Sequence, residues 1–238
     1  MAYLSYFFLT WIVLEFIAYL MLKRTQKQTT SVRKKLILFT RYPEPGRTKT
    51  RLIPALGAEG AANLQKQMTE YTVRLARQLF VWCKVCVEIR YEGGELTAMQ
   101  DWLGTELDFR PQGSGDLGAR MQWAFDAAFA EDFDHVVLIG TDCPDLTVEI
   151  LATAFAALKR HELVLGPAQD GGYYLIGWKR PLAPLLQGIA WGTDTVLAAT
   201  LTTAAEIGVV PFLLPMLNDV DRPEDIAHVH FDHHPCPE

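Results

Sequence analysis

Positive charge is scarce in most of this 238-residue chain. From Leu52 onward, 12 Lys and Arg face 26 Asp and Glu, while ten basic residues crowd between Lys23 and Arg51 with Glu44 as the sole acid among them. A general nucleic-acid binder needs a broad basic face, so that class is excluded, whereas a local basic loop for phosphate is not. Cysteine is also sparse: Cys83, Cys86, Cys143 and Cys236. Cys83 and Cys86 lie in an apolar run that reads as strand, where positions three apart face opposite ways and do not grip one metal. They read as packing residues in a reduced compartment. There is no internal repeat and no low-complexity tract, and the length suits one sizeable core rather than two.

Charge nearly vanishes over residues 3–22, YLSYFFLTWIVLEFIAYLML, where Glu15 stands alone and Pro and Gly are missing. Twenty such residues in a helix reach about 30 Å, the thickness of the hydrocarbon core. Lys23, Arg24, Lys27, Arg33, Lys34 and Lys35 follow, which by the positive-inside rule puts that side in the cytoplasm. A cleaved signal fits poorly, since no basic stretch precedes the apolar run and no small-residue site follows it. The expected organisation is a single-pass anchor over 1–22, a basic linker over 23–33, a catalytic domain over 34–226 in the cytoplasm, and a flexible tail over 227–238. Were the first segment not translated, the domain would simply be cytoplasmic.

After the linker, short apolar runs alternate with helical patterns. The runs 35–40 and 135–140 are near-continuous, as in parallel strands buried on both faces. Residues 58–80 carry Leu64, Met68, Tyr71, Leu75 and Leu79 at helical spacing, and 81–90 reads as a second strand. Further strands are expected at 107–110, 162–166, 173–177 and 209–214. Helices are expected at 116–131, 147–158 (capped by Thr147) and 194–207. This alternation implies an open, mostly parallel sheet flanked by helices.

Ligands of such sheets bind outside the carboxyl ends of the strands, and the unusual polar loops here follow predicted strands. Arg41-Tyr-Pro-Glu-Pro-Gly-Arg-Thr-Lys-Thr-Arg51 is stiff and electropositive, so Arg41, Arg47, Lys49 and Arg51 are candidates for phosphate oxygens. Gln112-Gly-Ser-Gly-Asp-Leu-Gly-Ala-Arg120 leads into a helix, and Gly115, Asp116, Gly118 and Arg120 are candidates for close backbone approach to a nucleotide. Gly140-Thr-Asp-Cys-Pro-Asp145 offers Asp142 to a hard divalent cation, Mg²⁺ or Mn²⁺. Asn218-Asp-Val-Asp-Arg-Pro-Glu-Asp225 offers Asp219 and Asp221 as further carboxylates, or an N-capping run. Gly166-Pro-Ala-Gln-Asp-Gly-Gly-Tyr-Tyr174 reads either as a loop against substrate or as a hairpin. Its candidates are Asp170, Gly171, Gly172 and Tyr173.

Together, RYPEPGRTKTRL, QGSGDLGARM, VVLIGTDCPDL, LGPAQDGGYYLIG, WGTDTVL and DVDRPEDI resemble the cofactor-guanylyltransferase-like glycosyltransferase family. This is a domain of unknown function of the "transferase 1, rSAM/selenodomain-associated" type, within the GT-A nucleotide-diphosphosugar transferases. The resemblance runs from Lys35 to Asp225. It implies a GT-A, Rossmann-like fold with a nucleotide pocket at the first strand. It also implies Asp142 as metal aspartate, Asp221 as second metal carboxylate and Lys49 with Arg51 as a phosphate-handling pair. Trp191 of the WGTDTVL segment joins the substrate candidates. The sequence departs from sugar nucleotidyltransferases in lacking Gly-Gly-x-Gly-x-Arg, and has Thr-Asp-Cys in place of Asp-x-Asp.

Three functions follow as expectations. The first is metal-dependent glycosyl transfer from a nucleotide-diphosphosugar to a small-molecule or lipid acceptor, with Lys49, Arg51 and Asp170 in the catalytic set. The second is nucleotidyl transfer from a nucleoside triphosphate to a phosphorylated small molecule. The third is a non-catalytic nucleotide-binding domain at the membrane.

Overall fold

Residues 32–228 are described by the computed structural model. The apolar run 3–22, the linker up to residue 31 and the tail from residue 229 lie outside them. Among the described residues, no helix is long and apolar enough to cross a membrane.

Seven strands form one mixed sheet in the order β3-β2-β1-β4-β6-β5-β7. They are β1 (Lys34–Arg41), β2 (Val85–Glu92), β3 (Asp108–Pro111), β4 (His135–Ile139), β5 (Leu163–Pro167), β6 (Tyr173–Trp178) and β7 (Phe212–Leu213). Strands β1 and β4 are the apolar runs that the sequence marks as central, and they pair in parallel. Both bury both faces because helices cover each side. One strand reverses: β6 runs antiparallel to both β4 and β5. The reversal comes from the tight Asp170-Gly171-Gly172 turn, where Asp170 accepts the Gly172 N–H at 2.8 Å and Gly171 takes a φ of 88°. The hairpin reading of that segment is therefore the observed one, and the hairpin also lines the site.

The helices are α1 (Ile53–Cys83), α2 (Leu96–Leu103), α3 (Leu117–Ala130), α4 (Val148–Ala157) and α5 (Val196–Glu206). One face of the sheet packs under α1 and α4, with Leu75, Leu79, Leu151 and Phe155 against Leu36, Leu38, Val137 and Ile139. The other packs under α3, with Phe125 stacked on Trp178 at 3.9 Å. Helix α1 kinks at Gly57, whose φ of 70° and ψ of 170° leave the helical region. It runs on to Cys83, so the strand expected from residue 81 begins instead at Val85. The left-handed Lys84 ends the helix and starts the turn into β2. Thus Cys83 is helical and Cys86 lies in the strand, and among the described residues no three metal-ligating side chains form a chelating group. Helix α2 was not anticipated from the sequence.

Candidate active site

The carboxyl ends of β1 and β4, with the amino end of the reversed β6, border a cleft of about 500 Å³. Its floor is a hydroxyl–amide cluster. Gln65 Nε2 reaches Thr40, Thr69 and Thr141 at 3.3, 3.1 and 3.1 Å, and Thr40 and Thr69 share a 2.8 Å bond. These buried groups tie α1 to the tips of β1 and β4, so the loops that leave those strands start from fixed points.

The basic loop after β1 delivers Lys49 into the cleft through a left-handed backbone, with φ of 48°. Its ammonium is almost wholly buried. It donates to Val220 O at 2.6 Å and lies 3.0 Å from Asp142 and 3.7 Å from Asp221. Arg51 pairs with the other oxygen of Asp221. The acidic segment 218–225 is pinned by Val220 N–H donating to Asp142 O at 2.8 Å and by the Cys143 thiol donating to Asn218 O at 3.0 Å. Apolar Val220, fully buried, plugs into Leu52, Leu64 and Met68. Two acids and two cations that stand far apart in sequence are thereby brought into one cluster.

Asp219 joins that cluster. Its carboxyl is pushed up to about 6 by burial first, then by repulsion from Asp170, Asp142 and Asp221. Cys143, buried in the same place, has its thiol driven well above the usual range and is no nucleophile. The donors are hard oxygens, and Mg²⁺ takes one or two carboxylates with phosphate and water completing the sphere. Acid-on-acid repulsion at Asp219 is the kind that a divalent cation relieves, so the residues present fit such an ion.

On the opposite wall, Glu92 at the tip of β2 collects Arg41 at 2.7 Å and Arg120 at 3.1 Å. The Arg41 guanidinium holds the Glu92 carboxyl below the ordinary range, and Arg120 adds to this. Arg120 also donates to Gln112 Oε1 at 3.0 Å, while Gln112 Nε2 donates to Thr40 O. Glu92, Gln112, Gln65 and Thr141 all line the cleft without having been singled out from the sequence. Only the alignment of β1, β2 and β4 tips reveals them.

Arg41, Lys49, Arg51, Arg120, Asp142, Asp170, Gly172, Tyr173, Trp191, Asp219 and Asp221 all line the cleft. Five other candidates do not. Arg47 points outward and pairs with Glu44 at 3.4 Å. Asp116 caps α3 by accepting the Ala119 N–H at 2.8 Å. Gly115 turns the chain into that cap with φ of 97°. Gly118 is a packing glycine, because a Cβ there would meet Leu186 O at 2.7 Å and Trp191 Nε1 at 2.8 Å. Gly171 passes under Asp194 and accepts the Leu197 N–H at 2.9 Å. These two glycines hold the wall that carries Trp191, which meets Tyr173 edge-on at 6.3 Å.

An open α/β sheet with acids and cations gathered at its strand tips defines a Rossmann-like architecture, with its cleft where such sheets place their ligands. The chain belongs to the family "Uncharacterized protein conserved in bacteria (DUF2064)", whose model matches residues 75–193. Among solved structures, it is similar to a protein of Desulfovibrio desulfuricans G20 provisionally named a nucleotide-diphospho-sugar transferase. That match has 31% identity and a TM-score of 0.74, over 84% of this chain and 88% of the other. The fold is also shared with Rv0371c of Mycobacterium tuberculosis H37Rv in complex with manganese, at 15% identity and a TM-score of 0.51. It covers 84% of this chain and 98% of that one. The bifunctional IspDF of Campylobacter jejuni matches at 13% identity and a TM-score of 0.52, over 82% of this chain and 53% of the other. The relatives named for an activity are of the nucleotidyl- or glycosyltransferase kind. No curated protein matches the chain.

Proposed function

We propose that the domain is a GT-A-like, metal-dependent transferase using a nucleotide-activated donor. The reading best supported is nucleotidyl transfer from a nucleoside triphosphate to a phosphorylated small molecule. The observation behind it is Lys49, buried between Asp142 and Asp221 with Arg51 on the same carboxylate. A triphosphate carries more negative charge than one divalent ion neutralises, and these two cations stand beside the acids that would hold the ion. Asp142 and Asp221 would be its ligands, with Asp219 near them. When bound, the ion supplies Lewis-acid neutralisation of phosphate oxygens.

An attacking phosphate is already ionised, so the transfer needs no general base, and catalysis reduces to positioning and charge neutralisation. A phosphate oxygen of the acceptor would attack the α-phosphorus, and the bond to the bridging oxygen would break with pyrophosphate leaving. Asp170 suits a base poorly, since its carboxylate is committed to the Gly172 turn. Arg41 and Arg120 are tied to Glu92 and would be released toward phosphate only when a donor competes for them.

Glycosyl transfer is the second reading, favoured by the name of the relative from Desulfovibrio desulfuricans. The test is incubation of the full chain with Mg²⁺ or Mn²⁺ and panels of triphosphates, nucleotide-sugars and phosphorylated acceptors. Pyrophosphate release supports the first reading. Nucleoside diphosphate release from a nucleotide-sugar sinks it in favour of the second. Binding without turnover across the panel leaves a nucleotide-binding module.

A further inference from the structure

The edge opposite the cleft carries an arrangement that the transfer chemistry does not use. Arg33 fixes where the chain enters the sheet. Its N–H donates to Asp134 at 2.7 Å, and its carbonyl accepts the Asp134 and His135 N–H groups at 2.8 and 3.1 Å. The chain therefore arrives at the amino ends of β1 and β4. At the same edge, the last turn of α1 exposes three consecutive large apolar side chains, Phe80, Val81 and Trp82, at 58, 73 and 62%. They adjoin the arrival point, because Lys34 Nζ donates to Cys83 O at 3.3 Å.

A basic row runs on from this tip. Lys34 is in register with His135, and Lys179 follows the strand whose Trp178 pairs with Val136. Lys179 Nζ donates to Lys159 O at 3.3 Å, beyond the end of α4, and exposed Arg160 comes next. Lys84 stands beside the tip itself. Of the acids on this rim, Asp134 accepts the Arg33 N–H and Glu162 holds Arg180 in a two-point pair. Asp134 keeps its charge and so does Asp132, both on the β4 side.

We propose that this rim, Phe80, Val81 and Trp82 with the row of basic residues, docks on an anionic lipid bilayer. Three observations converge on that partner. The apolar tip ends in Trp, an aromatic suited to the headgroup level. Each basic residue near an anionic leaflet strengthens attraction about fivefold. The sequence upstream holds the uncharged run 3–22 apart from Glu15, and residues 23–32 reach at most about 36 Å in any conformation. A bilayer holding that run thus lies within reach of this edge.

The docked orientation has a consequence. The eight residues of β1 separate the two edges by about 25 Å, so the cleft opens away from the lipid. For the transfer proposed above, this selects a soluble acceptor over a membrane lipid, although the docking itself does not depend on that reading.

The experiment uses the full chain with vesicles of phosphatidylcholine, alone or mixed with phosphatidylglycerol, with lipids brominated in their upper tails. Trp82 fluorescence is taken as the difference between the wild type and Trp82→Phe. Docking predicts that brominated lipid quenches most of this difference signal, more so with phosphatidylglycerol. Lys159→Glu with Arg160→Glu should remove that dependence while leaving the melting temperature unchanged, since both side chains are exposed and the Lys179 bond is to the Lys159 carbonyl, which both variants keep. A Trp82 signal indifferent to brominated lipid, in chain that still pellets with vesicles after a high-salt wash, overturns the proposal. So does chain that stays in the supernatant. A Trp82 signal that follows protein concentration rather than lipid composition would assign the tip to a second copy of the chain instead.

Discussion

Lys49 is the residue on which the cleft's electrostatics turn, because its ammonium occupies the space between two carboxylates that would otherwise repel. Lys49→Met should leave that pair free for an ion while removing a phosphate contact. The expected result is a larger thermal shift with Mn²⁺ alone and a smaller one with triphosphate, with turnover reduced at least about 100-fold. Asp142→Asn should abolish the Mn²⁺ shift altogether. Asp219 supplies the pH dependence. Its folded carboxyl is raised to about 6 from 3.8, so folding favours its protonated form. That contribution is full below about pH 4 and is lost as pH rises through 6. In metal-free protein, Asp219→Asn should therefore be more stable than wild type at pH 7.5 and nearly equal to it at pH 4. Calorimetric titration should show wild-type Mn²⁺ affinity falling below pH 6, where a proton competes for that carboxylate. A flat pH profile would remove Asp219 from the site. That Asp142 and Asp221 line the cleft is legible from acids in loops at one sheet edge, but Lys49's position between them is not. It depends on a left-handed backbone at a residue that sequence rules do not place there.

Elements show the same division. Strands β1 and β4 were legible because strands buried on both faces need unbroken apolar runs, and Thr147 was legible as the cap that accepts the Ile150 N–H. Thr147→Ala should lower stability by about 1 kcal/mol, a melting shift of roughly 2–4 °C for a domain this size. The end of α1 reads as strand because Phe80, Val81 and Trp82 are apolar yet face solvent, so the pattern implies burial where there is none. Helix α2 leaves no trace in the sequence because its eight residues bury only Met99 and Leu103, too few for a periodic signal. Gly118 looked like a ligand glycine and is a packing one. Gly118→Ala should displace Trp191 and weaken substrate binding, raising KM more than it lowers kcat. Unchanged kinetics would show that the Trp191 wall does not meet substrate.

At the scale of the molecule, one network lay beyond any linear reading. Glu88, fully buried in β2, holds Lys35 of β1 at 2.7 Å and pairs with Arg90 two residues on. Lys35 and Arg110 both reach Glu131 at 2.7 Å, which links three strands to the end of α3. Each charge looks like a surface residue in the sequence, and only the strand register brings them together, with Lys35, Glu88 and Arg90 buried. Glu88→Gln leaves buried Arg90 without its counter-charge and Lys35 with Glu131 alone, and should cost about 3–5 kcal/mol in denaturant unfolding without moving the cleft. Another long-range tie concerns timing. Leu217, Asn218 and Val220 are held by Pro167, Cys143 and Asp142, all made much earlier in the chain. During synthesis those partners are already present when the acidic segment emerges. A growing chain therefore lacks Asp221 and the complete counter-charge of Lys49 until almost the whole domain has been translated. A nascent body folded without that segment would leave Arg51 without its carboxylate and Lys49 with Asp142 alone, a more electropositive and unfinished site.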